Sequence, residues 1–298
     1  MADMFIYTVS NKALTSSQRI FYEENGYIYF KNLINHEDLD KYKQRFIDIC
    51  NGIVDSSAIT VVKDYSLLKQ KIFKGERLLY KIQDFLYDSV LFDYARDKRI
   101  VNVVSSIIGD GITGFNSMFI NKPPNSLTNS HPLHQDLHFF PFRPENKICG
   151  SWTAVEKMTE ENGCLMVIPG SHKSSLLLHG YPNLLNNSIY HGIMDTNHFK
   201  PVQLPMEKGD TIFFHPLLIH GSGPNLTQGF RKCISVHYLN NNCNFINMRD
   251  TEQEFVVDEV EKIFVLKGFS VDYNQSWIAK SRRITGKPGK YHELTSRL

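Results

Sequence analysis

No run in this chain approaches the roughly 18 consecutive apolar residues that a bilayer-crossing helix needs, so a membrane span is excluded from the reading. Cysteine is sparse and unpatterned. Cys50, Cys149, Cys164, Cys233 and Cys243 are odd in number and contain no Cys-x-x-Cys pair. A disulfide scaffold and a thiolate zinc site are both poor readings, and a reducing compartment fits better. Neither sign of charge dominates: 33 Lys plus Arg against 31 Asp plus Glu leave a net +2. That balance gives no reason to expect nucleic acid or an anionic membrane surface as partner. The first residues lack a basic region followed by an apolar run, which argues against a secretory signal. Repeats, coiled-coil heptads and low-complexity tracts are missing too. What is present is ordinary globular composition, 42% hydrophobic over 298 residues, enough for one large β-rich domain.

The pattern along the chain runs from helices to strands. Thr15-Ser16-Ser17-Gln18 predicts a capping box before a helix that stops at Gly26. Tyr27 to Leu33 has the aromatic and β-branched texture of a short strand. Asn35 then caps a helix with Leu39, Tyr42, Phe46 and Ile49 at helical spacing, ending at Gly52. Residues 53–78 read as irregular, and a third helix is expected over 89–108. From Gly114 short runs rich in Val, Ile, Phe and Thr alternate with Gly, Pro and Asn turns. They are Phe115 to Asn121, Leu133 to Phe140, Ile148 to Val155, Cys164 to Ile168, Asp210 to His215 and Cys233 to Leu239. Such spacing predicts a sandwich or jelly roll. Residues 170–200 form an insertion, a closing helix is expected around 252–267, and a basic tail begins at Lys280. The expected organisation is a single domain over 1–298: a mostly helical part (1–112), a β core (113–240), and a C-terminal helix and tail (241–298).

The chemistry gathers around His134-Gln135-Asp136. In a strand, residues two apart point to the same face, so this imidazole and this carboxylate can converge on one ion. Another ligand must come from elsewhere, and His220 stands 86 residues on (220 − 134), beside Gly221. Two His and one carboxylate on one side of a metal leave three positions free, the facial triad of Fe(II) oxygenases. On residue type alone, His131, His138, His215 and His237 compete as ligands. Eleven residues after His220 comes Arg231 (231 − 220). Its permanently charged, forked donors suit the far carboxylate of a keto-acid cosubstrate such as 2-oxoglutarate. A zinc hydrolase would leave Arg231 without a purpose.

These residues resemble the phytanoyl-CoA dioxygenase family. The likeness runs through His131-Pro-Leu-His134-Gln-Asp136-Leu-His138, Trp152-Thr-Ala, Asn162-Gly163-Cys164-Leu165 and Pro169-Gly170-Ser171-His172-Lys173. It continues through Glu207 to Asp210, His215 to Gly223 and Thr227 to Lys232, covering about residues 115–240. The resemblance implies a mainly β fold with flanking helices, built on a double-stranded β-helix (jelly-roll, cupin-like) core. It implies Fe(II) held by His134, Asp136 and His220, which are also the catalytic centre. 2-Oxoglutarate would lie near Arg231 and Ser222, with Lys81, Met118 and Trp152 lining its pocket. Ascorbate as an added reductant stays open. The implied reaction takes a 3-methyl-branched acyl-CoA, 2-oxoglutarate and O2 to the 2-hydroxyacyl-CoA, succinate and CO2. Because Asp136 is present, hydroxylation rather than halogenation is the expected outcome. The rivals are the same chemistry on another small molecule, and a non-catalytic jelly-roll binding protein.

Two features stay outside that core. Lys280, Arg282, Arg283, Lys287 and Lys290 read as a solvated basic tail in preference to a site for CoA phosphates. Ser296-Arg297-Leu298 is a basic-for-basic variant of the Ser-Lys-Leu address, so the expected location is the peroxisome, reached through its import receptor.

Overall fold

The computed structural model describes residues 5–9, 13–63, 75–125, 130–182, 190–266, 268 and 272–290. Helix α1 (Ser16–Asn25) has the expected capping box: Thr15 Oγ1 accepts from the Gln18 amide, and Gln18 Oε1 from the Thr15 amide. Gly26, at φ 78°, ends it in the left-handed region that glycine adopts without penalty. Strand β1 (Tyr27–Phe30) follows, then α2 (His36–Asn51), capped by Asn35. The α2 stripe Leu39, Tyr42, Phe46 and Ile49 is buried; burying an aliphatic or Phe side chain of this kind contributes about 1.5–3 kcal/mol. Part of the stretch expected to be irregular is strand: β2 (Thr60–Lys63) pairs with β3 (Leu79–Gln83). The helix expected over 89–108 is broken. α3 (Phe92–Ala95) stops at Arg96, and α4 (Lys98–Ile108) restarts where Asp97 accepts from the Arg99 amide.

The strands β4 (Ile112–Lys122), β5 (His131–His134), β6 (Phe142–Arg143), β7 (Ile148–Ala154) and β8 (Leu165–Val167) come next. They are followed by β9 (His179–Gly180), β10 (Gly192–Ile193), β11 (Val202–Leu204), β12 (Thr211–Phe214) and β13 (His220–Ser222). The strands β14 (Arg231–Asn240) and β15 (Asn244–Phe245) precede α5 (Glu254–Leu266), α6 (Tyr273–Lys280) and β16 (Arg282–Arg283). A large antiparallel sheet has the order β1-β12-β7-β14-β4-β3-β2, with β16 also on β4. A smaller sheet has the order β11-β8-β13-β5. The pair makes the jelly roll that the strand spacing predicted.

Alternation along β14 shows how the layers sort. Ile234, Val236 and Tyr238 pack outward into a core shared with α2 and α4, where Phe46 stacks on Phe119 at 4.5 Å. Arg231, Ser235 and His237 point the other way, into a chamber also lined from the small sheet by His134, Leu165 and His220. The fold thus turns period-two patterning into an outer hydrophobic face and an inner polar one. The basic stretch from Lys280 is solvated only in part: Arg283, Lys287 and Lys290 are exposed, whereas its first members are engaged. Lys280 lies 3.5 Å from the Trp277 ring centroid, Arg282 lies 3.7 Å from that of Phe92, and Arg282–Arg283 add an edge strand to β4. Cation–aromatic contact and strand pairing outweigh solvation there. Ser296-Arg297-Leu298 lies outside the described residues. Among the described residues no helix is long and apolar enough to cross a membrane.

Candidate metal and cosubstrate site

His134 closes β5, and the strand ends there. Asp136 opens a 3₁₀ turn (Asp136–Phe139) after one extended residue, Gln135. The same-face spacing of His134 and Asp136 therefore survives, although they do not share a strand as expected. Gln135 pins the segment. Its amide donates to His179 Nε2 (2.9 Å), its side-chain amide donates to the carbonyls of Ser175 and Leu217, and its Oε1 accepts from the Leu177 amide. His220 opens β13 directly across from His134 in the sheet register. Gly221 permits that approach, since a Cβ there would lie 2.8 Å from the His131 carbonyl oxygen.

Among the described residues, His134, Asp136 and His220 form the group whose ligand atoms all fall within 4.8 Å of one another, and all three are buried. Backbone carbonyls set both ring tautomers. His134 Nδ1 donates to Pro132 O (2.9 Å) and His220 Nδ1 to Leu218 O (3.0 Å), which leaves each Nε2 as a lone pair. Those nitrogens lie 3.3 and 3.8 Å from the Asp136 carboxylate. Burial, then the neighbouring His134, pushes the His220 pKa down to about 4, so the ring is neutral, the form that binds metals. Burial works against the Asp136 carboxylate, but the surrounding histidines, His237 foremost, outweigh it and hold the carboxyl well below its usual range. Two imidazoles presenting Nε2 and an ionised carboxylate suit a divalent first-row ion.

The competing histidines are occupied elsewhere. His237 Nε2 donates to Asp136 Oδ2 (2.8 Å), and its Nδ1 accepts from Asn116 (3.2 Å). It orients the carboxylate from behind. His131 sits behind His134, with its Nδ1 3.2 Å from that of His134. His138 turns to His191 (3.1 Å) and stacks on His179, while His215 packs against Tyr7 and His172.

The remaining residues singled out from sequence, Arg231, Ser222, Lys81, Met118 and Trp152, line the same chamber as His134, Asp136 and His220. Arg231 is fully buried, its Nη2 donating to Gly163 O (2.7 Å) and its guanidinium 5.0 Å from the Trp152 ring centroid. Its Nε has no hydrogen-bond partner among the described residues. Opposite it in the sheet register stands Lys122, which sequence reasoning missed. The Lys122 ammonium donates to Ser222 Oγ (2.8 Å) and to the Gly223 carbonyl. Burial, then the adjacent Arg231 charge, pushes the Lys122 pKa well below its usual value. Among the described residues no carboxylate forms an ion pair with either cation. Burying charge without a counter-ion costs several kcal/mol per ion, and an anion in this chamber would offset that cost. Lys81, between this chamber and a wider cleft, is lowered to about 8 by burial. The missed residues did leave a signal. Met118, Ile120 and Lys122 on β4, and Arg231, Ser235 and His237 on β14, fall at even spacings and line one chamber.

A jelly roll holding two histidines and a carboxylate around one point, with two buried cations in the same chamber that no carboxylate pairs among the described residues, defines a 2-oxoglutarate-dependent oxygenase. Comparison with known proteins narrows the class. Residues 22–233 match the phytanoyl-CoA dioxygenase (PhyH) family, and the chain belongs to it. It is 46% identical over 294 residues to the peroxisomal phytanoyl-CoA dioxygenase of Rattus norvegicus, covering 96% of this chain and 87% of that protein. It is 43% identical to a probable phytanoyl-CoA dioxygenase of Caenorhabditis elegans, covering 94% of this chain and 96% of that one. Among solved structures it resembles EctD from S. alaskensis with 2-oxoglutarate and 5-hydroxyectoine. That match has a TM-score of 0.61 and 19% identity, and covers 80% of this chain and 81% of that one; at this identity it speaks to the fold.

Proposed function

We propose that the protein hydroxylates carbon 2 of a 3-methyl-branched fatty acyl-CoA such as phytanoyl-CoA, using Fe(II), 2-oxoglutarate and O2. The products are the 2-hydroxyacyl-CoA, succinate and CO2. The observation that carries this reading is the joint presence, in one chamber, of the three-ligand cluster and of two buried cations without a carboxylate partner. Family membership and relatives named for phytanoyl-CoA point to the substrate.

In this reading His134, Asp136 and His220 hold the iron, and the bound iron and cosubstrate together supply the oxygen activation. The protein's own part is positional. Pro132 O and Leu218 O hold the two rings with Nε2 forward, and His237 holds the carboxylate. Arg231 and Lys122, the latter hydrogen-bonded to Ser222 Oγ, take the far carboxylate of 2-oxoglutarate. Met118 and Trp152 pack against its carbon chain, and Lys81 closes the chamber towards the cleft. Fixing both ends of the cosubstrate is orientation catalysis, and the apolar lining from Leu165 and Phe214 keeps water out.

We also propose a peroxisomal location, on the names of the relatives. The import receptor would read Ser296-Arg297-Leu298, and a fluorescent fusion with and without those residues tests it.

The enzymatic test has two arms. Anaerobic protein with Fe(II) and 2-oxoglutarate should develop a visible charge-transfer band that His220→Ala and Asp136→Ala lack. Phytanoyl-CoA, and not the free acid, should drive succinate formation. Full turnover by Asp136→Ala protein would remove the proposed ligand set; succinate formation driven only by unrelated small molecules would remove the substrate.

A further inference from the structure

The chamber opens into a cleft of about 820 Å³, and His131, His134 and Asp136 line both, so the two meet at the triad. The cleft is lined in two chemically different ways. On one side α5 presents Val256, Val260, Ile263 and Phe264, spaced i, i+4, i+7, i+8. That spacing is a single stripe of the helix, about 12 Å long at 1.5 Å per residue. The stripe runs outward, from Val256 at 2% exposure to Ile263 at 48%. Glu259 falls on the same side, but its carboxylate is engaged by the Tyr181 hydroxyl (3.1 Å) and His191 Nε2 (2.8 Å). The other lining is polar and cationic, with Thr60 and Gln83 beside Lys81 and Lys280. Asp84 is only loosely paired with Lys280, at 3.9 Å.

We propose that the α5 stripe is the wall for the acyl tail, and that the thioester and its CoA leave along the Lys81–Lys280 lining. The inference rests on the hydroxylation reading above. Carbon 2 must reach the triad, and it divides an apolar chain from a polar thioester. The two arms of the substrate therefore leave that point with opposite chemistries, and the cleft offers one lining for each. The half-exposed Ile263, which packing alone leaves unexplained, then has a role, because it meets the far part of a long chain that a short one never reaches.

The test compares kcat/KM for phytanoyl-CoA and for 3-methyloctanoyl-CoA in the full-length, iron-loaded protein. Val260→Trp should lower the long-to-short ratio at least about tenfold, since one methylene's worth of misfit in a pocket already discriminates by about that much. Ile263→Asp, at a half-exposed position where folding is not at stake, should lower the same ratio by acting on the long chain. Lys280→Met should raise KM for both substrates together and leave the ratio unmoved. Wild-type ratios in both helix variants would overturn the proposal, as would a ratio that falls with Lys280→Met instead. A wild-type protein that makes succinate with some other compound and hydroxylates neither acyl-CoA would sink the function reading, and this one with it.

Discussion

Replacing Arg231 by Met separates a binding role from a structural one. The guanidinium is fully buried, has one hydrogen bond to Gly163 O and another contact to Cys233 Sγ, and among the described residues its Nε has no partner. Burial lowers its pKa, which means that the surrounding protein disfavours the charge. If the charge waits for a carboxylate, its loss removes charge-assisted hydrogen bonds of about 1.5–3 kcal/mol in bound 2-oxoglutarate. At 1.4 kcal/mol per decade, the KM for 2-oxoglutarate should rise about 10- to 100-fold, with far less change for the acyl-CoA. Without cosubstrate the balance runs the other way. Methionine removes an unpaired buried cation, a gain of up to several kcal/mol, and orphans the Gly163 carbonyl, a loss of about 1–3 kcal/mol. The melting temperature of the cosubstrate-free variant should therefore hold or rise. Wild-type protein at a hundredfold excess over Kd gains about 2.7 kcal/mol from its ligand, a shift of a few degrees that the variant should lack. Calorimetry with and without 2-oxoglutarate, beside succinate kinetics, reads both. A variant that melts several degrees lower without cosubstrate and keeps the wild-type KM would refute the reasoning, because Arg231 would then be a structural strut.

Three further outcomes are expected. His237→Phe leaves Asp136 Oδ2 without its donor, so activity should need about 10- to 100-fold more Fe(II) and recover when it is supplied; a wild-type iron titration would dismiss His237 as an orienting group. Gly163→Ala places a Cβ 2.3 Å from Gly223 O at a φ of +79°, spreading the segments that hold Arg231 and Lys122. It should lower both thermal stability and 2-oxoglutarate affinity, and normal values for both would contradict the packing described. Lys81, brought down to about 8 by burial, is charged below that pH and neutral above it. The KM for 2-oxoglutarate or acyl-CoA should rise as pH climbs through about 8, and Lys81→Met should flatten the curve; an identical inflection in the variant assigns it elsewhere.

How far the molecule is legible in its sequence depends on the range of the interaction. Local rules served well: the caps at Thr15 and Asn35 and the stop at Gly26 follow from neighbouring residues alone. His134 and Asp136 were recognisable because a two-residue spacing survives the change from strand to 3₁₀ turn, although the strand expected there ends early. Lys122 was illegible, since its meaning arises only when sheet register sets it across from Arg231. His237 looked like a rival ligand because residue type cannot distinguish an imidazole that binds a metal from one that donates to a ligand. Lys280 and Arg282 looked solvated because charge counting ignores the aromatic faces of Trp277, one helical turn back, and of Phe92, far off in sequence.

The long ladder between β14 and β4 shifts register once, between His237 and Tyr238, so that Asn116 stands opposite one and Gly114 opposite the other. Phe115, the surplus residue, is thereby turned down among Phe140, Phe142 and Trp277 beneath the triad, while Asn116 keeps its reach to His237. Excising Phe115 would let the two edges run in step from end to end, and the amide that steadies the imidazole behind the aspartate would be drawn out of line. Around this chamber, the length of a strand therefore sets which side chains reach the aspartate as much as their identity does.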